Sequence, residues 1–210
     1  MSVGIRQRKK SNNMKKNLKK VIQSAALLFI VLMFSNACKK DDSSSTSPTV
    51  KLGQSYQGGI VFYILKAGDI GYNASVQHGL IAPDKDQFNS NGIAWAPSGS
   101  DILVGTTSTA IGTGNANTNA IVAKLGSGTY AAKLCSDLIL NGYSDWYLPS
   151  KEELNDMFDS PYLSNFSTSS HYWSSSEVNY SDAWDQTYVS GQQHNNSKTS
   201  ICNVRAIRSF

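Results

Sequence analysis

Three cysteines, three histidines and five prolines in 210 residues offer little from which to build a metal cage or a disulfide scaffold. No apolar run reaches the ~20 residues that a membrane-spanning helix needs; the stretch at 21–34 is interrupted by Gln23 and Ser24. Acidic side chains are missing altogether from the first 38 residues, which hold eight of the 19 Lys and Arg. The remainder therefore carries 11 basic against 15 acidic side chains, a net −4, so the formal charge of +4 belongs to the N-terminal segment. Without a basic face to neutralise phosphates, nucleic acid is not expected as a partner. Gly112-Thr113-Gly114-Asn115-Ala116-Asn117 imitates the opening of a dinucleotide loop, but it lacks the third glycine and follows no clear strand. His78, His171 and His194 stand neither at metal-ligand spacing nor beside a nucleophile motif, so the expectation is no metal, no cofactor and no enzymatic turnover.

What is present begins with an address. Two basic clusters, at 6–10 and 15–20, precede the apolar run, and Leu32-Met33-Phe34-Ser35-Asn36-Ala37-Cys38 closes it. This arrangement resembles a bacterial lipoprotein signal, which implies cleavage after residue 37 and lipidation of Cys38; Met14 is a second possible start. Lys39-Lys40-Asp41-Asp42 followed by serines is similar to the signal that sends Bacteroidota lipoproteins to the outer face of the outer membrane. Residues 38–52 then read as a flexible polar tether, and the membrane is expected as a partner only through the lipid. Cys135 and Cys202 remain. An oxidising compartment favours a bridge between them, and two buried thiols are the other arrangement.

Residues 53–210 are long enough for one domain with a sizeable core. Gly58-Gly59-Ile60-Val61-Phe62-Tyr63-Ile64-Leu65 reads as a buried strand, 79–82 as a second and 93–96 as a third piece. Apolar spacing places helices at 117–125, capped by Asn117 or Thr118, and at 130–138, with Gly142 as a stop. Ser150-Lys151-Glu152-Glu153 is a capping box that starts a short helix running to about residue 158. Residues 172–176 and 183–189 alternate as strands, 191–200 reads as a polar turn region, and 202–210 as a terminal strand.

Four stretches together carry a family resemblance: Gly58-Gly59-Ile60-Val61-Phe62-Tyr63; Asn141-Gly142-Tyr143-Ser144-Asp145-Trp146-Tyr147-Leu148-Pro149-Ser150; Tyr172-Trp173-Ser174-Ser175-Ser176-Glu177; and Val204-Arg205-Ala206-Ile207-Arg208-Ser209-Phe210. In order and spacing they resemble the C-terminal domain of the Legionella collagen-like protein, the Lcl C-terminal family, over residues 53–210. Tyr147 stands where that family usually has Arg. The resemblance implies an α+β, C-type-lectin-like fold in which the first and last strands pair, two to three helices follow, and a long polar loop region presents ligand-binding side chains. Trp146, Leu148, Trp173, Trp184 and Phe210 are then expected in the core.

Of the 30 residues from 174 to 203, 16 are Ser, Thr, Asn or Gln. Aromatic platforms interleaved with short polar groups suit polar ligands, since rings give contact area at small entropic cost. Asn179, Tyr180, Asp182, Trp184, Gln186, Tyr188, Gln192, His194, Asn195 and Asn196 are the expected ligand-binding residues, for an extracellular glycan or protein. An adhesin-type surface lipoprotein is the reading that results. The alternatives are a receptor of the same fold diversified by a retroelement, a non-binding component of a surface assembly, and an enzyme similar to the formylglycine-generating enzymes, which share a lectin-like core.

Overall fold

The computed structural model describes residues 49–88, 92–99, 102–105, 107–167 and 171–210; the expected leader, Cys38 and most of the tether lie outside the described residues. In chain order the elements are β1 (Ser55–Tyr56), β2 (Gly59–Ile64), β3 (Gly79–Ala82), β4 (Ile93–Ala94), α1 (Gly114–Leu125), α2 (Ala131–Ser136), α3 (Lys151–Asp159), β5 (His171–Glu177), β6 (Asp182–Thr187), β7 (Gln193–Ser197), β8 (Ile201–Cys202) and β9 (Arg208–Ser209). The expected mixture of helix and sheet is observed. Among the described residues no helix is long and apolar enough to cross a membrane.

Among the described residues three antiparallel sheets form, ordered β1-β2-β3-β9, β4-β8 and β5-β6-β7. The terminal strands share a sheet but do not pair. β9 joins β3, and β1 forms the opposite edge, because a two-residue turn with positive φ at Gln57 and Gly58 folds β1 directly onto β2. The terminal segment is likewise not one continuous strand. It touches the body at β8, at isolated bridges Gln87↔Val204 and Tyr147↔Ile207, and at β9.

The helices also differ from their expected limits, for local reasons. α1 starts at Gly114, because Asn117 and Thr118 turn inward instead of capping. The Asn117 amide bonds the Ser108 carbonyl and Ser175 Oγ, while Thr118 Oγ1 accepts from the Leu148 amide. α2 ends at Ser136, and Gly142, with φ +83 beside Asn141 at φ +53, belongs to a tight turn that pairs Leu140 with Tyr143. The Ser150–Glu153 capping box forms in full.

The largest apolar cluster gathers Trp95, Trp146, Trp173, Tyr130, Leu148 and Ile121 between α1, α2 and the sheets. Each buried indole finds an acceptor, as burial requires: Trp95 Nε1 donates to the Ser174 carbonyl, Trp173 Nε1 to the Ile93 carbonyl, both at 2.9 Å, and Trp146 Nε1 to the Tyr143 carbonyl at 3.2 Å. A second cluster, with Phe62, Leu80, Tyr147, Met157, Tyr172 and Ile207, joins the first sheet to α3. Phe210 is only partly buried and meets Tyr56 edge-on at 5.1 Å, and Trp184 is also half-buried.

Cys135 and Cys202 are separate, buried free thiols, so the expected bridge is not formed. Cys135 sits on the inner face of α2 in the tryptophan cluster, and the Cys202 thiol points to the Asp185 carboxylate at 3.7 Å.

Candidate functional site

The β5-β6-β7 sheet organises the polar C-terminal region. Strand alternation puts alternate residues on opposite faces, and the register pairs His171 with Thr187, Trp173 with Asp185, and Asp185 with His194. Asn196 pairs with Ala183 and so shares that face. The other face carries Tyr172, Trp184, Gln186, Gln193 and Asn195, and leans on α3: Gln186 Nε2 donates to Asn155 Oδ1, and the Lys151 ammonium lies 4.1 Å over the Trp184 ring. β7 forms inside the stretch expected to be a turn. Its sequence, Gln-His-Asn-Asn-Ser, has no strand-favouring residue, and the ladder to β6 supplies the order.

Three ionisable groups converge on the first face. Asp185 is 1% exposed. Its Oδ2 lies 2.9 Å from His171 Nδ1 and 2.7 Å from Asn196 Nδ2, and its Oδ1 lies 3.4 Å from His194 Nδ1. The two imidazoles stand 5.5 Å apart between centroids, each about two-fifths exposed at its side chain (43% and 40%). Thr187 Oγ1 sits 3.4 Å from His194 Nδ1. Burial pushes the Cys202 thiol well up, with the neighbouring Asp185 charge adding to the effect, and burial alone does the same at Cys135. Neither thiol is poised as a thiolate nucleophile.

The β5–β6 turn is the second feature. Asn179 Oδ1 accepts from the amides of Ser181 and Asp182, while its Nδ2 donates to Asp182 Oδ2; this fixes the turn and leaves Tyr180 61% exposed at its tip. Beneath it the Lys198 ammonium donates to Glu177 Oε1 at 2.5 Å, to the Tyr180 carbonyl at 3.1 Å and to the Ile102 carbonyl at 2.9 Å. Glu177 in turn accepts from the amides of Val104 and Gly105. One buried ion pair thus ties the Tyr180 turn to the segment carrying the exposed Ile102 and Leu103.

The expected ligand-binding set is therefore divided. Tyr180, Gln192 and Asn195 are exposed, Asn179 and Asp182 build the turn, and His194 and Asn196 surround Asp185. Gln186 is buried, and Tyr188 is occupied by Phe158, Phe166 and Tyr172. The convergence of His171, Asp185 and His194 was invisible to sequence spacing, because it depends on the register of three strands.

A further region escaped sequence reasoning. Pro83, Phe88, Leu134, Leu138 and Leu140 line a largely apolar cleft of about 390 Å³, and a neighbouring cleft of about 550 Å³ along the β1–β2 turn shares Asp84 and Asn141 with it. Only the exposed Phe88, at φ +66, sets that segment apart, and periodicity does not register such a feature.

The motif residues behind the resemblance act mainly as fasteners. Ser175 Oγ donates to the Pro149 carbonyl, Ser176 Oγ donates to the Ser108 carbonyl and accepts from the Lys151 amide, and Ser174 Oγ donates to the Trp184 carbonyl. Arg205 pairs with Asp86 and caps the Ser164 and Asn165 carbonyls, while Arg208 pairs with Asp145 and Gln57. The sequence profile of the Lcl C-terminal domain matches residues 87–208. Among curated proteins, none matches the chain. Among solved structures, the crystal structure of a fimbrial protein from Bacteroides ovatus ATCC 8483 is similar at a TM-score of 0.46 and 15% identity, over 71% of this chain and 43% of that one. The chain thus spans less than half of that protein's length.

Proposed function

The chain belongs to the Lcl C-terminal domain family, and from that premise we propose that it is a surface-held binding module: an exported lipoprotein, lipidated at Cys38, that recognises an extracellular glycan or protein by contact rather than turnover. The carrying observation is the Tyr180 turn. An exposed aromatic stands on a base pinned by the buried Lys198–Glu177 pair, and a pre-ordered aromatic anchor binds with little entropy left to lose. Asn179 and Asp182 hold that turn, and Asn195 supplies an exposed hydrogen-bonding group on β7, the strand beside β6, while Gln192 is exposed at the opposite end of the β6–β7 hairpin. A lectin-like presentation of polar loops from a stable scaffold is the fold-level form of this reading.

One observation favours binding over catalysis. Both described cysteines are buried, and burial raises both thiols, which speaks against the thiol chemistry that the formylglycine-generating enzymes would suggest. Glycan-array and surface-protein binding by the purified chain tests the proposal. Tyr180→Ala is expected to weaken a detected interaction at least tenfold, as truncation of an interface aromatic commonly does. An interaction indifferent to Tyr180→Ala and to Asn179→Ala would remove this site from the reading.

A further inference from the structure

We propose that His171, Asp185 and His194 form a binding site for a divalent transition-metal ion of the zinc class. One ligand atom from each residue can be chosen so that all lie within 4.8 Å of one another, a spacing that a single ion can bridge. The donor set of two imidazole nitrogens and a carboxylate is that of open, three-ligand metal centres; it suits zinc, cobalt or nickel and not the all-oxygen shells of calcium and magnesium.

The independent observation is on Asp185. Its side chain is completely buried, yet Oδ1 has no hydrogen-bond donor, although it faces His194 Nδ1 at 3.4 Å. A buried carboxylate oxygen without a partner is costly, and it is found where something else supplies the positive charge. Its twin Oδ2 is already held by Asn196 Nδ2 and His171 Nδ1, with the Cys202 thiol behind it. Asn196 is itself fixed, because its Oδ1 accepts from Ser200 Oγ. The carboxylate is thus oriented from the protein side by Asn196 and Cys202 with Oδ1 turned to His194 and Oδ2 beside His171, as a second shell orients a metal ligand.

Accessibility fits as well. Both imidazoles are about two-fifths exposed, so an ion can enter from solvent and retain an outward coordination position, whereas Asp185 closes the inner side. The three residues come from three adjacent strands of one sheet, so the donors sit on a rigid ladder and not on a loop. This site is independent of the Tyr180 turn: either can fail without the other.

The test is calorimetric titration of the purified, chelator-treated full chain with zinc chloride, and with cobalt chloride followed by visible absorption. One equivalent is expected to bind, with cobalt giving the intense visible bands of a low-coordinate nitrogen–oxygen site. His171→Ala and His194→Ala should each weaken binding by about 100-fold or more, at least the upper range for loss of a supporting second-shell residue. Both rings are half-exposed, so these variants should keep the wild-type near-ultraviolet circular dichroism. His78, which bonds the Phe210 carbonyl in the first sheet, is the control, and His78→Gln should bind zinc as the wild type does. Failure of the wild type to take up either metal, or uptake unchanged in both His171→Ala and His194→Ala, would overturn the proposal.

Discussion

Lys198 and Glu177 meet at 2.5 Å with only 3% of either side chain exposed, and the other hydrogen bonds of the two charged groups go to backbone: the ammonium, which also lies 4.8 Å over the Trp95 ring, to two carbonyls, the carboxylate to two amides. Removing one partner leaves the other as an uncompensated buried charge. Lys198→Met is therefore expected to cost about 3–5 kcal/mol, read by urea denaturation. Lys198→Met combined with Glu177→Leu should recover only part of this, because the Val104 and Gly105 amides then lose their acceptor. Full recovery in the double variant would show that those amide bonds contribute nothing.

Acid–base linkage separates two carboxyl groups. Burial pushes Glu153 up to about 7 against the pull of the Ser150 and Gly112 amides that it accepts from. Its folded-state value lies above the unfolded one, so the folded chain holds the extra proton between roughly pH 4.5 and 7, and stability from this group falls as pH rises through that window. The melting-temperature difference between wild type and Glu153→Gln should accordingly shrink from pH 5 to pH 7.5. Asp145 runs the other way. Hydrogen bonding from the Arg208 guanidinium lowers it, so its contribution is present above the ordinary carboxylate range and is lost as pH falls through the lowered value. Asp145→Asn should flatten the acid limb and leave the neutral limb unchanged.

Local signals in the sequence survived into the structure, and long-range ones did not. The Ser150–Glu153 capping box, the β2 and β3 runs and the burial of Trp146, Leu148 and Trp173 follow from residue type and short spacing. Asn117 and Thr118 misled because a capping residue type inside a helix can serve a tertiary hydrogen bond instead, here to Ser108, Ser175 and Leu148. β7 was unreadable because neighbouring strands, not propensity, order Gln-His-Asn-Asn-Ser. The meeting of His171 with Asp185 and His194 needs the β5-β6-β7 register, which no window of consecutive residues contains.

The N-terminal address makes its own prediction. If Cys38 carries the lipid, palmitate labelling of cells expressing the chain should tag it, and Cys38→Ser should abolish the label and release the protein from the membrane fraction. One acyl chain holds a protein only marginally, so firm retention also requires the multiple acyl chains of a processed lipoprotein N-terminus. A Cys38→Ser protein that stays fully membrane-bound would place the anchor elsewhere.

Gly114 opens α1 for a steric reason that reverses an ordinary expectation. Alanine in place of a helical glycine usually stabilises by about 1 kcal/mol, and Gly114 is within the helix. A Cβ there, however, would lie 2.2 Å from Glu153 Oε2 and 2.9 Å from both the Leu148 carbonyl oxygen and the Ser150 amide nitrogen. Two of those three atoms are backbone, and the third is the capping-box carboxylate already held by its donors, so none can swing aside. Overpacking a fitted site costs about 1–3 kcal/mol, which outweighs the helix gain. Gly114→Ala is expected to lower stability in urea denaturation, and adding Glu153→Ala should relieve part of the clash, so the two substitutions together should cost less than the sum of their separate effects.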